Sequence, residues 1–238
     1  MKTDSFISMF EFERHGIRKL DIPIIQRDYA QGRPDQVAKR IRENFLGVLH
    51  RALTDGDQVS LDFVYGEITG GVMTPLDGQQ RLTTLFLLHW YIAARAGVRG
   101  GDSEVLQRFT YETRYSSRDF CAKLVAQCPT FPIERLSEWI RDQSWFFGAW
   151  RHDPTIQSML VVLDDLHDLF RGSDCVAAWQ RLVHREAPSV VFHVLPINDM
   201  GLTDDLYIKM NSRGKPLTKF EYFKANFEKT IREASPDQ

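Results

Sequence analysis

The ten residues from Leu76 to Leu85, Leu-Asp-Gly-Gln-Gln-Arg-Leu-Thr-Thr-Leu, constrain this chain more than any other stretch. An acid, a glycine, two amides and an arginine are packed into Asp77 to Arg81. An apolar helix-like run, Leu82 to Ala96, follows at once, with Gly97 as a natural stop. Just upstream, Leu61 to Ile68 and Val72 to Leu76 read as two strands around Gly70-Gly71, a hairpin signal. Strand, turn, strand and helix are therefore fixed in order, and the polar cluster sits where the helix begins. Free backbone N–H groups and the helix dipole both favour an anion at that place.

Two readings of Asp77 to Arg81 stand side by side. In the first it is a phosphate or metal–phosphate site. Gly78 lets the backbone approach a ligand, Gln79 and Gln80 offer amides, and Arg81 forks onto phosphate oxygens. Asp77 is then the candidate metal residue, orienting a water or holding a magnesium ion, which prefers carboxylate and phosphate oxygens. In the second it is a capping box, with Asp77 as N-cap and Gln80 at the third helical position, worth about 0.5–2 kcal/mol. Capping explains neither Gln79 nor Arg81. An arginine in a first turn opposes the dipole by roughly 0.3–1 kcal/mol and is more comfortable beside an anion.

Other segments carry similar chemistry. Leu20 to Ile25 reads as a strand ending in Gln26-Arg27-Asp28-Tyr29, which places an amide, a cation and a stacking ring at one sheet edge. Equally, it reads as a solvated strand end. Asn211-Ser-Arg213-Gly-Lys215-Pro-Leu-Thr218 has the composition of a phosphate loop without Walker A spacing. It also reads as a helix stop closed by Pro216. Arg114 and Arg118, in Tyr111 to Cys121, suit a nucleic acid backbone or a locally capped loop.

Between these motifs, Gln31 to Pro34 is a turn. Val37 to Leu53 has helical spacing, with Val37, Ile41, Phe45, Val48, Leu49 and Ala52 on one stripe. From about Ser103 to Glu186 the chain is rich in tryptophan and helical periodicity and lacks strong strand signals. Ser158 to Phe170 there carries Met159, Leu163, Leu166 and Phe170 on one face. Ser189 to Ile197 is the clearest buried strand and is expected to return to the first sheet. Asp204 to Met210 reads as a short helix, and Thr218 opens a capping box for a last helix to about Arg232. The expected organisation is a mixed α/β core over 1–100, a helical insertion over 101–187, and the returning strand and C-terminal helices over 188–238.

Composition removes several classes. The formal net charge is −2, so no global basic field draws the chain to nucleic acid or an anionic membrane, although arginines cluster at Arg95, Arg99, Arg108, Arg114 and Arg118. Cys121, Cys128 and Cys175 form no CxxC pair, which argues for reduced thiols over a disulfide scaffold or zinc site. No stretch reaches about 18 uninterrupted apolar residues, and Met1 to Arg14 lacks the apolar core of a signal peptide. A cytoplasmic protein without membrane contact is expected. The histidines lack metal spacing, and no Ser or Cys nucleophile motif occurs.

Three segments in this order, Ile22-Pro-Ile-Ile-Gln26-Arg27-Asp-Tyr29, Leu76-Asp77-Gly78-Gln79-Gln80-Arg81-Leu-Thr83-Thr84 and Met210-Asn211-Ser-Arg213-Gly-Lys215-Pro-Leu, resemble the N-terminal domain of GmrSD-type restriction proteins over about residues 5 to 230. The resemblance implies a ParB/sulfiredoxin-like α/β core with helical additions. It implies binding and hydrolysis of a nucleoside triphosphate with Mg2+ or another divalent cation, in a domain that regulates an HNH-type nuclease against phage or modified DNA. Carried over, Asp77 and Arg81 become catalytic candidates. Gln26, Arg27, Tyr29, Gly78, Gln79, Gln80, Thr83, Thr84, Asn211, Arg213 and Lys215 become nucleotide-binding candidates, with Arg114 and Arg118 toward DNA. No His-Asn-His nuclease segment occurs in these residues. The chain is therefore expected to be the N-terminal part of a longer protein or to work with a separate nuclease chain, and homo-oligomers are possible partners. Open alternatives are a non-enzymatic DNA-recognition or sensor module on the same fold, or a scaffold that docks a nuclease through its last helix.

Overall fold

A computed structural model describes residues 3–23, 28–112 and 115–197. Its centre is a mixed five-stranded sheet: β1 (Lys19–Ile22), β2 (Val59–Thr69), β3 (Val72–Pro75), β4 (Phe109–Tyr111) and β5 (Val190–Pro196), in the order β4-β1-β3-β2-β5. β1 runs parallel to β3 and β4, β2 is antiparallel to β3, and β5 lies parallel to β2. The helices are α1 (Phe12–His15), α2 (Gln36–Thr54), α3 (Gln79–Arg95), α4 (Tyr115–Val125), α5 (Leu136–Arg141), α6 (Pro154–Phe170) and α7 (Cys175–Leu182).

The hairpin forms as expected. Gly70 and Gly71 have φ of 58° and 82°, and Thr69 pairs with Val72 across them. Two successive positive φ values are what a two-residue I′ turn requires. α3 is buried at every position from Leu82 to Ala94, so it runs through the middle of the domain rather than along its surface. It packs against α6 and α7 on its helical side. On its sheet side Phe86 stacks on Phe109 of β4, ring centroids 4.4 Å apart. One continuous apolar core joins the sheet, α3 and the helices of the middle region. Gly97, with φ of 68°, ends α3, and Val98 N–H reaches back to Ala93 O at 2.9 Å.

α6 buries Met159, Leu163, Leu166 and Phe170 completely, the face its spacing predicts. β5 does return to the sheet, as an edge strand beside β2. The free thiols of Cys121, Cys128 and Cys175 form no disulfide.

Three expectations need correction. The stripe of α2 is displaced: Val37 and Ile41 are exposed, while Leu46, Leu49, Ala52 and Leu53 are buried. The helix turns Arg42 rather than Ile41 inward, where its Nε meets Asp165 of α6 at 2.5 Å and its Nη1 donates to Gln31 O at 2.7 Å. The middle region contains a strand, β4, whose three residues are too short for periodicity to register; Phe109 and Tyr111 are nonetheless buried against the core. β1 ends at Ile22, and Pro23 after it has no N–H to offer a ladder. The helices expected over 204–232, and residues 24 and 25, lie outside the described residues. Among the described residues no helix is long and apolar enough to cross a membrane.

Candidate functional site

β3 stops at Pro75 while its partner β2 continues, which leaves a stretch of β2 edge without a strand beside it. The Leu76 to Arg81 segment covers that edge. The N–H groups of Leu76 and Asp77 both reach Tyr65 O, at 2.8 and 3.2 Å. Arg81 continues the pattern with its side chain: Nη1 donates to Leu61 O, and Nη2 donates to Phe63 O at 2.7 Å. Here the β2–β5 register shifts between Ser60 and Phe63, and Asp62 has φ of 59°. Beyond the end of β3 the carbonyls on this margin have no ladder partner, and the guanidinium supplies donors for two of them. Those two acceptors are the negative partner that capping could not provide for Arg81.

Gly78 is the N-cap of α3, with φ 89° and ψ 1°. Its requirement is double. The left-handed conformation strains any L side chain, and a Cβ there would lie 2.9 Å from Val64 Cγ2. The expectation that Asp77 caps the helix is therefore corrected. A capping aspartate must itself be the N-cap residue in extended conformation. Here that position falls to Gly78, and no side chain caps α3. The Asp77 carboxylate instead meets Arg81 Nη2 at 3.3 Å and stays 55 % exposed. By contrast Asp35, Asp153 and Asp174 close α2, α6 and α7 with side-chain acceptors.

Both glutamines are engaged internally. Gln79 is buried and its Nε2 donates to Pro75 O at 2.7 Å, tying the helix start to the end of β3. Gln80 clamps the segment after β1: its Oε1 accepts from Ala30 N–H at 2.8 Å and its Nε2 donates to Asp28 O at 3.2 Å. Thr84 donates to Gln80 O at 2.9 Å, so in the 2.7 Å contact between Thr84 Oγ1 and Tyr29 the phenol is the donor. Thr83 Oγ1 lies 3.1 Å from Tyr111 Oη. Tyr29 is almost wholly buried, and burial pushes its phenol pKa up. It is a core residue and offers no face for stacking a base, contrary to the sequence expectation.

The structure brings Gly78, Gln79, Gln80, Arg81, Thr83 and Thr84 together at the start of α3, with Tyr29 bonded to Thr84 and Asp77 on the solvent side. Gln26, Arg27, Arg114, Asn211, Arg213 and Lys215 lie outside the described residues. Three of the clustered arginines bind carbonyls. Arg95 donates to Arg171 O at 3.0 Å, Arg108 donates to Phe10 O at 3.1 Å, and Arg118 donates to Tyr111 O at 2.9 Å and to Glu112 O. Arg118 also lies over the Tyr115 ring. Sequence reasoning missed the partners of the motif, Leu61, Phe63, Tyr65 and Ala30. Their contribution is main-chain atoms, which no residue pattern announces.

Among the described residues no three His, Cys, Asp or Glu side chains gather to hold a metal. Asp77 alone fits the habit of magnesium, which takes one or two carboxylates and fills its shell with phosphate oxygen and water. It does not fit a resident protein-held metal.

Strand edge, left-handed glycine, clamped amides and an uncapped helix start define a mixed α/β domain organised around its Asp-Gly-Gln-Gln-Arg loop. The chain belongs to the family described as the GmrSD restriction endonuclease, N-terminal domain, whose model matches residues 7–228. No curated protein matches the chain.

Proposed function

We propose that this domain binds a nucleoside triphosphate at the start of α3, hydrolyses it slowly, and thereby regulates a DNA nuclease in restriction of foreign DNA. Membership of a restriction endonuclease family supports the setting. The observation that carries the site is the start of α3: a buried 17-residue helix has no side-chain acceptor on its first N–H groups and an exposed carboxylate beside them. Those N–H groups and the dipole suit phosphate oxygens and stabilise charge that grows on them during transfer. Asp77 is the residue that would hold a magnesium ion, which supplies charge neutralisation to the phosphates. Arg81 lies one turn further on, within reach of the same anion. Gln79, Gln80, Thr83 and Thr84 position the loop from behind rather than touching the ligand.

The test is phosphate release by the wild type and by Asp77→Ala. Because Asp77 is exposed and its pair with Arg81 is a surface one, its removal costs about 0–1 kcal/mol of stability. The variant is expected to keep its melting temperature and lose nucleotide hydrolysis. Equal release from wild type and variant, or no nucleotide binding by either, would sink the assignment.

A further inference from the structure

Next to the motif, on the opposite side of β2 from Val64, lies an aromatic cluster that the sequence analysis did not single out. Phe63 and Tyr65 stand two residues apart on β2 and so share one face of the sheet. Their rings are nearly parallel, 13° between planes, with centroids 6.2 Å apart. His193 of β5 is the register partner of Phe63, and its ring lies 5.3 Å away, tilted by 31°. Phe63 is 37 % exposed. Nδ1 of His193 is buried without a hydrogen-bond partner. The core-facing neighbour Val64 is buried against Gly78, so the sheet's apolar needs are met on the other face.

The same two residues hold the motif through their main chain. Phe63 O receives Arg81, and Tyr65 O receives the N–H groups of Leu76 and Asp77. Carbonyls in the plane of the sheet meet the proposed phosphate loop, and out of that plane the Phe63 ring is open to solvent. A nucleotide has the same two parts: a polyanion, and a flat π face a sugar away.

We propose that Phe63, flanked by Tyr65 and His193, is the platform on which the base of the bound nucleotide stacks. This rests on the phosphate site proposed above. Stacking on an aromatic side chain needs no hydrogen-bond code, because every base presents a π face. The orphaned imidazole nitrogen of His193 is a polar group of the cluster able to meet a base edge after a ring flip.

The experiment is calorimetric titration, with magnesium present, of the four ribonucleoside triphosphates and of inorganic tripolyphosphate into wild type, Phe63→Leu and Phe63→Trp. Phe63→Leu is expected to weaken nucleoside triphosphates by about five- to a hundredfold and leave tripolyphosphate unchanged. Phe63→Trp is expected to restore nucleotide affinity, with quenching of the added indole by nucleotide but not by tripolyphosphate. Equal loss for both ligands in Phe63→Leu, or loss for neither, overturns the platform and leaves the phosphate site standing. If wild type binds neither nucleotide nor tripolyphosphate, the phosphate site itself is refuted and the platform with it.

Discussion

Gly78→Ala tests the physical account of the motif apart from any function. Two independent costs fall on that one methyl group. Holding a non-glycine residue at φ 89° costs about 1–2 kcal/mol. Placing a Cβ 2.9 Å from Val64 Cγ2 forces a buried side chain to move, and such overpacking costs about 1–3 kcal/mol. The sum is about 2–5 kcal/mol, well above an ordinary substitution. The second cost has a specific partner and the first has none. Urea unfolding of wild type, Gly78→Ala, Val64→Ala and the double variant separates them. Val64→Ala is destabilising alone, yet it makes room for the new methyl. The double variant is then more stable than the two single losses predict, by a coupling of about 1–3 kcal/mol. The backbone cost persists in both glycine variants. A Gly78→Ala protein as stable as wild type, or strictly additive losses in the double variant, would refute the reasoning.

Two further outcomes follow from polar side chains of α3. His89 donates from Nδ1 to Leu85 O at 2.7 Å while its Nε2 is buried without a partner, and burial pushes its pKa down to about 4. Between pH about 6.5 and about 4 the unfolded chain binds a proton that the folded chain refuses, so stability falls as pH drops through that window, by roughly 3 kcal/mol in all. Urea midpoints across the window should show that slope, and His89→Leu should flatten it; an unchanged slope in the variant removes His89 as its cause. Gln80→Leu breaks both bonds to the segment after β1 and is expected to cost about 2 kcal/mol. Hydrogen exchange at the Ala30 amide should accelerate by on the order of tenfold or more, and unchanged protection there would show that the clamp does not hold.

The elements that declared themselves in the sequence did so through local rules. The hairpin followed from Gly70-Gly71, α3 from its apolar run and Gly97, and α6 from a 3.6-residue stripe. What stayed hidden depends on partners distant in the chain. β4 is three residues long and exists because β1 offers an edge. Arg42 displaces Ile41 from the inner face of α2 because Asp165 waits on α6. The motif shows the same division. Its position at a helix start was legible, and so was the mismatch between Arg81 and the helix dipole. The resolution of that mismatch was not, because the acceptors are carbonyls of β2 left open where β3 stops. Asp77 was misassigned as cap for a related reason. Sequence spacing gives a capping box at Asp77 and Gln80, and the left-handed Gly78 against Val64 moves the N-cap one residue later, where no side chain caps the helix.

The guanidinium of Arg81 has a consequence for how this strand and any bound anion are connected. It is one group with two demands on it, the carbonyls of Leu61 and Phe63 and, under the proposed function, the anion at the helix start. An anion that draws Arg81 away leaves two acceptors open on the margin of β2. A donor that occupies those acceptors, from water or from another polypeptide laid along the margin, releases Arg81 toward the anion. Such exchange is reciprocal by thermodynamic necessity, so each event changes the affinity for the other by the same factor. If the proposed anion binds there, a side chain first conspicuous because it sits badly in its own helix would be a relay between a strand margin and a charge.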